Sequence, residues 1–177
     1  MSNEPRIAIS GKSGCGNTTA SRLVAQLLGL RVINYTFKDM AKDRGLSFDA
    51  LCVLAEKDTQ YDLYLDRRQV ELTREGGCVL GSRLAIWLLK GSAFCVYLKA
   101  SPEVRAGRIA LREGFPLETA MERTKARDQR DHDRYWKLYG WDVDEYGFVD
   151  LVVDAERLDQ VGVASTIVDA VRKSFPH

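Results

Sequence analysis

The N-terminal segment places an apolar run, a glycine-rich loop and a helical pattern in immediate succession. Residues Arg6-Ile-Ala-Ile-Ser10 are typical of a short buried strand, and after Thr18 the apolar residues recur with helical periodicity. Between them lies Gly11-Lys-Ser-Gly-Cys-Gly16-Asn17-Thr18-Thr19, with four residues separating Gly11 from Gly16. A strand that passes through such a loop directly into a helix is typical of α/β proteins with a parallel sheet, which narrows the choice of fold sharply.

The glycine loop has the spacing of a phosphate-binding loop. Glycines allow successive backbone N–H groups to face phosphate oxygens, and the helix N-terminus adds its partial positive charge. The hydroxyl of Thr18 is placed to bind Mg²⁺, whereas Asn17 stands where such loops usually have a lysine. Lys12 could supply a cation by another route or could simply be solvated. The alternative for the whole segment is a glycine turn that only caps a helix.

The rest of the chain alternates predicted strands and helices, which indicates an α/β fold with a parallel sheet. Further strands are predicted at 31–34, 78–80, 94–98 and 149–153, and helices at 102–113, 117–139 and 161–175. Several helices are predicted between residues 36 and 76, one of them with Ser47 as its N-cap. We therefore predict one domain with a core of residues 5–35, 77–113 and 141–177, a helical insertion at 36–76 and a flap at 114–140.

Arginines recur along the predicted helix of the flap. The four residues fall at i, i+4, i+7 and i+11, within one narrow stripe of a helix: Arg123, Arg127, Arg130 and Arg134. Stacked like charges repel one another, and guanidinium groups match phosphate oxygens, so the stripe favours a polyanionic ligand. Partial pairing with aspartates of the same helix, such as Asp128 and Asp131, is the alternative. Arg83 follows a predicted strand end, where α/β sheets bind ligands.

Composition excludes several classes of protein. The chain has 177 residues with 26 Lys+Arg against 25 Asp+Glu, a formal net charge of +1, so it lacks the basic excess of a general nucleic-acid binder. At 45% hydrophobic and 29% charged residues it reads as an ordinary globular domain. Four cysteines without a C-x-x-C pair and only two histidines argue against zinc. Since no signal peptide, lipidation motif or membrane span is recognisable, we predict a cytoplasmic protein.

Over nearly its whole length the sequence resembles the nucleoside monophosphate kinases, and specifically the archaeal-type, cytidylate-kinase-like branch of the cytidylate kinase family. The segments that carry the resemblance are Phe37–Gly45, Tyr61–Gln69, Leu80-Gly-Ser-Arg83-Leu, Arg127–Tyr135 and Asp150-Leu-Val-Val-Asp154. The resemblance implies a P-loop NTPase-type three-layer sandwich with a parallel five-stranded sheet, a nucleoside-monophosphate-binding helical insertion and a short arginine-rich lid. It also implies transfer of the γ-phosphoryl group of Mg-ATP to CMP or dCMP.

The resemblance further implies roles for individual residues. Donor phosphates of ATP would lie on Gly11, Lys12, Ser13, Gly14, Cys15, Gly16, Asn17, Thr18 and Thr19, with Thr18 on Mg²⁺ and Arg108 near the donor base. Lys38 and Arg83 would hold the phosphate of CMP. Arg127 and Arg130 would reach the transferring group as the catalytic residues. Asp131 and Arg134 would lie by the cytosine nucleotide, and we expect Asp131 to accept a hydrogen bond from the exocyclic amine of cytosine.

The sequence also departs from the pattern of this branch. Asn17 replaces the loop lysine, which the branch often lacks. Lys38 stands for an arginine, Gly81 stands for a glutamate, and the carboxylate that the branch commonly has near the position of Tyr35 is lost. These departures leave two alternatives open: a kinase of the same fold for AMP, UMP or a shikimate-like acceptor, and a degenerate, non-catalytic nucleotide-binding protein. The predicted partners are ATP and CMP or dCMP, with no nucleic acid and no membrane, and the predicted state is a monomer.

Overall fold

A parallel five-stranded sheet forms the centre of the computed structural model, which describes residues 4–176. Its strands are β1 (Arg6–Gly11), β2 (Arg31–Ile33), β3 (Cys78–Gly81), β4 (Phe94–Lys99) and β5 (Leu151–Asp154). They lie in the order β2-β3-β1-β4-β5, and all pairs are parallel. The carboxyl ends of β1 and its neighbours β3 and β4 therefore meet at one edge, where ligands of open α/β sheets bind.

Within residues 4–176, eight helices connect and cover the strands. They are α1 (Asn17–Leu28), α2 (Phe37–Asp43), α3 (Phe48–Lys57), α4 (Gln60–Leu72), α5 (Ala85–Leu88), α6 (Pro102–Glu113), α7 (Leu117–Tyr139) and α8 (Gln160–Ser174). Local sequence explains several of their ends. Thr36 and Asp39 form a reciprocal capping box at α2, the Ser47 hydroxyl caps α3 as predicted, and Ser101 caps α6 ahead of Pro102.

Alternate residues of the strands face two separate layers of helices. Ile7 and Ile9 of β1 lie in a core with α1 and α8, while Ala8 faces the opposite core, which includes Trp87 of α5. On that second face, aromatic residues of the segment after α7 complete the packing, with the rings of Tyr97 and Tyr146 stacked 3.8 Å apart. Helices on both faces of a parallel sheet make three layers, so the predicted fold class is confirmed.

The helical insertion has a small core of its own. Met40, Ala41 and Leu51 are buried together, and the flanking side chains of Tyr35 and Phe37 pack against them. This cluster is separate from the two cores that flank the sheet. The insertion therefore has packing of its own in addition to its attachment to the sheet at both ends. Within the described residues, no helix combines the length and the apolar character needed to cross a membrane.

Candidate active site at the carboxyl ends of the strands

The glycine loop leaves β1 and enters α1 through two left-handed glycines. Gly14 has φ 87° and Gly16 has φ 93°, conformations that side-chain-bearing residues rarely adopt. A β-carbon at Gly14 would lie 2.8 Å from the backbone oxygen of Arg105, so this position also requires a glycine for close packing. A β-carbon at Gly16 would meet nothing within 4 Å, because this part of the loop faces open space. The backbone of the loop is therefore packed at Gly14 and accessible to a ligand at Gly16.

Asn17 bonds to the backbone of the glycine loop and, unlike the usual lysine, supplies no positive charge. Its side-chain nitrogen donates to the backbone oxygen of Gly11 at 2.6 Å, so the first helical residue is tied to the last residue of β1. Space at this contact is tight, since a β-carbon at Gly11 would lie 2.7 Å from both the Asn17 side-chain oxygen and the Leu98 carbonyl oxygen. The substitution of lysine by asparagine thus removes a charge from the loop and adds a hydrogen bond that fixes its shape.

Basic residues hold the loop from its other side. Lys12 pairs with Asp144 at 2.6 Å, so its ammonium group is engaged with the segment that follows α7. The buried Arg105 donates to the carbonyl oxygen of Ser13 at 3.2 Å and forms two hydrogen bonds, of 3.1 and 2.6 Å, to Asp128 of α7. Because one guanidinium group contacts both the loop and α7, the position of the loop is coupled to that helix.

Arg108 reaches the loop near a small cavity. It donates to the carbonyl oxygen of Gly14 at 3.3 Å and to that of Ala155 at 2.5 Å. The cavity has a volume of about 210 Å³ and lies between the loop and the start of α8; its lining includes Gly16, Arg108, Ala155, Leu158 and Gln160. Arg108, which we predict to lie near the donor base, therefore lines a cavity beside the glycine loop. The residues of this cavity between β5 and α8 were not predicted from the sequence.

A larger cavity of about 630 Å³ opens beside the loop. It brings together six of the side chains predicted from the sequence: Thr18, Arg83, Arg127, Arg130, Asp131 and Arg134. Lys38 does not line it, and the prediction that Lys38 holds the acceptor phosphate finds no support in this geometry. Its exposed ammonium group lies over the ring of Phe48, 5.8 Å from the centroid, because the first turn of α2 directs this side chain toward α3.

Charges in the large cavity are partly paired. Arg83 donates to Asp131, and Arg134 forms an ion pair with Asp62 of α4. Desolvation, followed by repulsion from Arg83, lowers the pKa of Arg127. Burial raises the pKa of Asp131, although the neighbouring Arg83 and Arg127 oppose this effect. The cavity therefore concentrates more positive charge than its own carboxylates neutralise, which suits an anionic ligand.

The arginine stripe divides between two environments. Arg127, Arg130 and Arg134 line the large cavity, whereas Arg123 stacks on Phe115 with its guanidinium carbon 4.0 Å from the ring centroid. A stripe of arginines thus predicts the face of a helix but not how far along that face the site extends. Arg123 is outside the site and offers a matched control for substitutions inside it.

Helix α4 supplies three polar residues of the large cavity that were not predicted from the sequence. Asp62, Asp66 and Gln69 lie at i, i+4 and i+7 on one face of α4, and each is only 7–8% exposed. Their spacing within the segment Tyr61–Gln69 was the available signal. Charged and polar residues at such spacing normally mark a solvated helix face, so burial was needed to recognise them.

The parallel sheet, the glycine loop between β1 and α1 and the arginine-lined cavity beside it define a P-loop kinase of small molecules. The chain belongs to the cytidylate kinase-like family, whose model matches residues 6–157.

Named relatives agree with this family. The chain is 41% identical over 172 residues to cytidylate kinase 2 of Borrelia garinii subsp. bavariensis, covering 95% of this chain and 97% of the relative. It is 35% identical to the cytidylate kinase of Archaeoglobus fulgidus, covering 94% of each chain. Among solved structures, shikimate kinase from Acinetobacter baumannii superposes with a TM-score of 0.65 at 18% identity, over 99% of this chain and 97% of the other, a similarity of fold alone.

Proposed function

We propose that this protein is a cytidylate kinase, which transfers the γ-phosphoryl group of ATP to CMP and yields ADP and CDP. The observation that carries the proposal is the large cavity, which is lined both by Thr18 at the end of the glycine loop and by Arg83, Arg127 and Arg130. A donor phosphate on the loop and an acceptor phosphate on Arg83 would then lie on the same cavity. Phosphoryl transfer requires such alignment and neutralisation of charge, with little covalent help from the protein.

The arginines of α7 are the proposed catalytic residues. Arg127 and Arg130 project into the cavity from a helix that is tied to the loop through Arg105 and Asp128. Charge spreads over the equatorial oxygens during transfer, and guanidinium groups at those oxygens stabilise it. Because repulsion from Arg83 already acts on Arg127, a polyanion between them would relieve an unfavourable contact.

Mg²⁺ is the proposed metal, carried with ATP. The exposed Thr18 hydroxyl belongs to the first turn of α1 and lines the cavity, and hydroxyl and phosphate oxygens are the hard ligands that Mg²⁺ prefers. The residues present therefore fit the ion, which Thr18 would hold. When bound, Mg²⁺ neutralises charge on the donor phosphates.

Two segments are proposed to move around the substrates. The insertion at 36–76 and the lid at 114–140 both border the large cavity, through residues such as Phe37, Asp66 and Arg130. Their closure would exclude water, which would otherwise accept the phosphoryl group from ATP. That dCMP is a second acceptor, and that the enzyme works as a cytoplasmic monomer, are further parts of the proposal.

A coupled assay of ADP release tests this function. With Mg-ATP, we expect release that depends on CMP and dCMP and is much slower with UMP. Arg127→Ala should lower kcat with CMP by about 100-fold or more, because a contact to the transferring group is lost. Arg123→Ala, on the same helix but outside the cavity, should retain activity. Absence of acceptor-dependent ADP release with every nucleoside monophosphate would refute the kinase and favour a nucleotide-binding protein without catalysis.

A further inference from the structure

The large cavity has two chemically different walls. Helix α7 and the end of β3 supply a basic wall with Arg83, Arg127 and Arg130, whereas α4 supplies Asp62, Asp66 and Gln69. A phosphate group is attracted by the first wall and repelled by the carboxylates of the second. A nucleoside monophosphate in this cavity therefore has its phosphate at the basic wall and its base toward α4.

Most polar groups that could contact the base are already engaged. Asp131 is paired with Arg83, and Asp62 with Arg134. The amide nitrogen of Gln69 donates to the backbone oxygen of Tyr35 at 2.9 Å, while its Oε1 is buried without a hydrogen-bond partner among the described residues. Asp131, the residue we expected to contact cytosine from the sequence, thus has a guanidinium partner on its carboxylate.

Asp66 differs from these residues in its partners. It is 8% exposed, and the hydroxyl of Tyr139 donates to its Oδ2 at 2.5 Å. Across residues 4–176 no cation pairs with it, although four arginines line the same cavity. Burial raises the pKa of Asp66, and the hydrogen bond from Tyr139 opposes this rise. A carboxyl group buried without a cation is costly to the fold, and such a group in a cavity is a candidate for contact with a ligand.

We infer that Asp66 distinguishes cytosine from uracil by accepting a hydrogen bond from the exocyclic amine of the bound nucleotide. This inference rests on the proposed function, because it concerns the acceptor of the same reaction. Oδ2 is held by Tyr139, which leaves the other carboxyl oxygen for the base. Uracil has a carbonyl oxygen in place of the amine, so a carboxylate would face another acceptor there.

The discrimination requires the ionised carboxylate of Asp66. A protonated carboxyl group can carry its proton on either oxygen and could therefore pair with cytosine or with uracil. Burial raises the pKa of Asp66, so the discrimination holds at pH values above that raised pKa. Adenine and guanine also carry an exocyclic amine, so Asp66 by itself rejects UMP but not the purine nucleotides.

The test compares two neighbouring aspartates of α4. We expect Asp66→Asn to lower the ratio of kcat/KM for CMP over UMP by about tenfold or more, because the amide can donate to the uracil oxygen. Asp62→Asn, one turn away, should lower kcat/KM with both nucleotides by similar factors and leave the ratio unchanged. Asp131→Asn should also leave the ratio unchanged, which separates this inference from a role of Asp131 in reading the base.

A second variant guards against loss of folding. Tyr139→Phe keeps the ring and removes only the hydroxyl that orients Asp66, so it should raise KM for CMP and lower the same ratio to a smaller extent. If the wild type is active with CMP and both variants keep its ratio, the inference is wrong while the proposed function stands. If the wild type phosphorylates no nucleotide, the proposed function itself has failed. If Asp66→Asn does not fold, the kcat/KM ratio for CMP over UMP measured with Tyr139→Phe tests the inference: an unchanged ratio overturns it.

Discussion

At the scale of single residues, the departures from the family pattern have local physical reasons. Gly81 stands where the related branch has a glutamate, and a β-carbon there would overlap the Ser21 hydroxyl and lie 2.8 Å from the Ser21 β-carbon. Ser21 in turn donates to the backbone oxygen of Asn17 at 2.7 Å. Glycine at the end of β3 thus lets α1 approach closely, and Ser21 and Asn17 stabilise the start of that helix.

Substitution of Asp66 by asparagine should raise the stability of the fold, although it should lower the selectivity for CMP over UMP. Because burial raises the pKa of Asp66 in the folded state, its contribution to stability falls as pH rises from the unfolded pKa through the folded pKa. Asp66→Asn should therefore be more stable than the wild type at neutral pH, and this advantage should vanish toward pH 4. Denaturant unfolding of both proteins across that range measures it. If Asp66→Asn were more stable than the wild type by the same amount at every pH, the charge of Asp66 would not be the cause of the difference in stability.

At the scale of elements, α7 connects both halves of the site. Asp128 contacts Arg105 behind the glycine loop, while Arg127, Arg130 and Arg134 face the large cavity. Arg83 and Asp62 bind α7 to the end of β3 and to α4. A ligand that pairs with the arginines of α7 therefore changes contacts on both sides of the cavity at once.

This arrangement predicts protection of α7 by nucleotides. Repulsion between neighbouring arginines should be relieved by phosphate, so backbone amides near Arg123–Arg134 should exchange hydrogen more slowly with CMP and a non-hydrolysable ATP analogue present. Amides of α8 around Ile167, which lies in the core beneath the sheet, should serve as the unchanged reference. Equal exchange of α7 with and without nucleotides would contradict a ligand-linked lid.

Local signals explain which elements could be predicted from the sequence. The bounds of α6 and α7 agree with the prediction, since Ser101-Pro102 caps one helix and Gly114 and Gly140 end the two in left-handed conformations. α5 was missed because four residues are too few for periodicity, and packing of Ile86 against the sheet core holds it in place.

The sequence predicted the arginines of the site but not the polar residues of α4. Arginines at helical spacing indicate an anion-binding face, so Arg127, Arg130 and Arg134 could be found from the sequence. Lys38 was placed by resemblance, and the direction of its side chain on α2 depends on Phe48 of the next helix. Asp66 could not be found, because nothing in a helical sequence separates a buried carboxyl group from a solvated one.

At the scale of the whole molecule, the large cavity lies between the helical insertion and the sheet core. The insertion has its own small core, and the sheet core lies beneath the glycine loop. A ligand that contacts both stabilises the folded state by mass action, by about 2.7 kcal/mol at a concentration of 100 times its Kd.

Thermal unfolding should report this binding. Mg²⁺ with a non-hydrolysable ATP analogue at about 100 times its Kd should raise Tm by about 5–10 °C. In Thr18→Ala, the part of this shift that depends on Mg²⁺ should be lost, because the hydroxyl is the proposed ligand of the ion, while Tm without nucleotide should stay unchanged. A variant that keeps the full Mg²⁺-dependent shift would contradict the role of Thr18.

The internal pairing of Arg83 with Asp131 and of Arg134 with Asp62 also determines which anions can compete for the site. A free inorganic phosphate or sulfate ion that binds Arg83 or Arg134 must separate these pairs and offers the displaced carboxylates nothing in return. A nucleotide brings a sugar and a base that can make compensating hydrogen bonds further along the cavity. Inorganic oxyanions should therefore compete mainly at Arg127 and Arg130, which form no such pair among the described residues, and only weakly at Arg83 and Arg134.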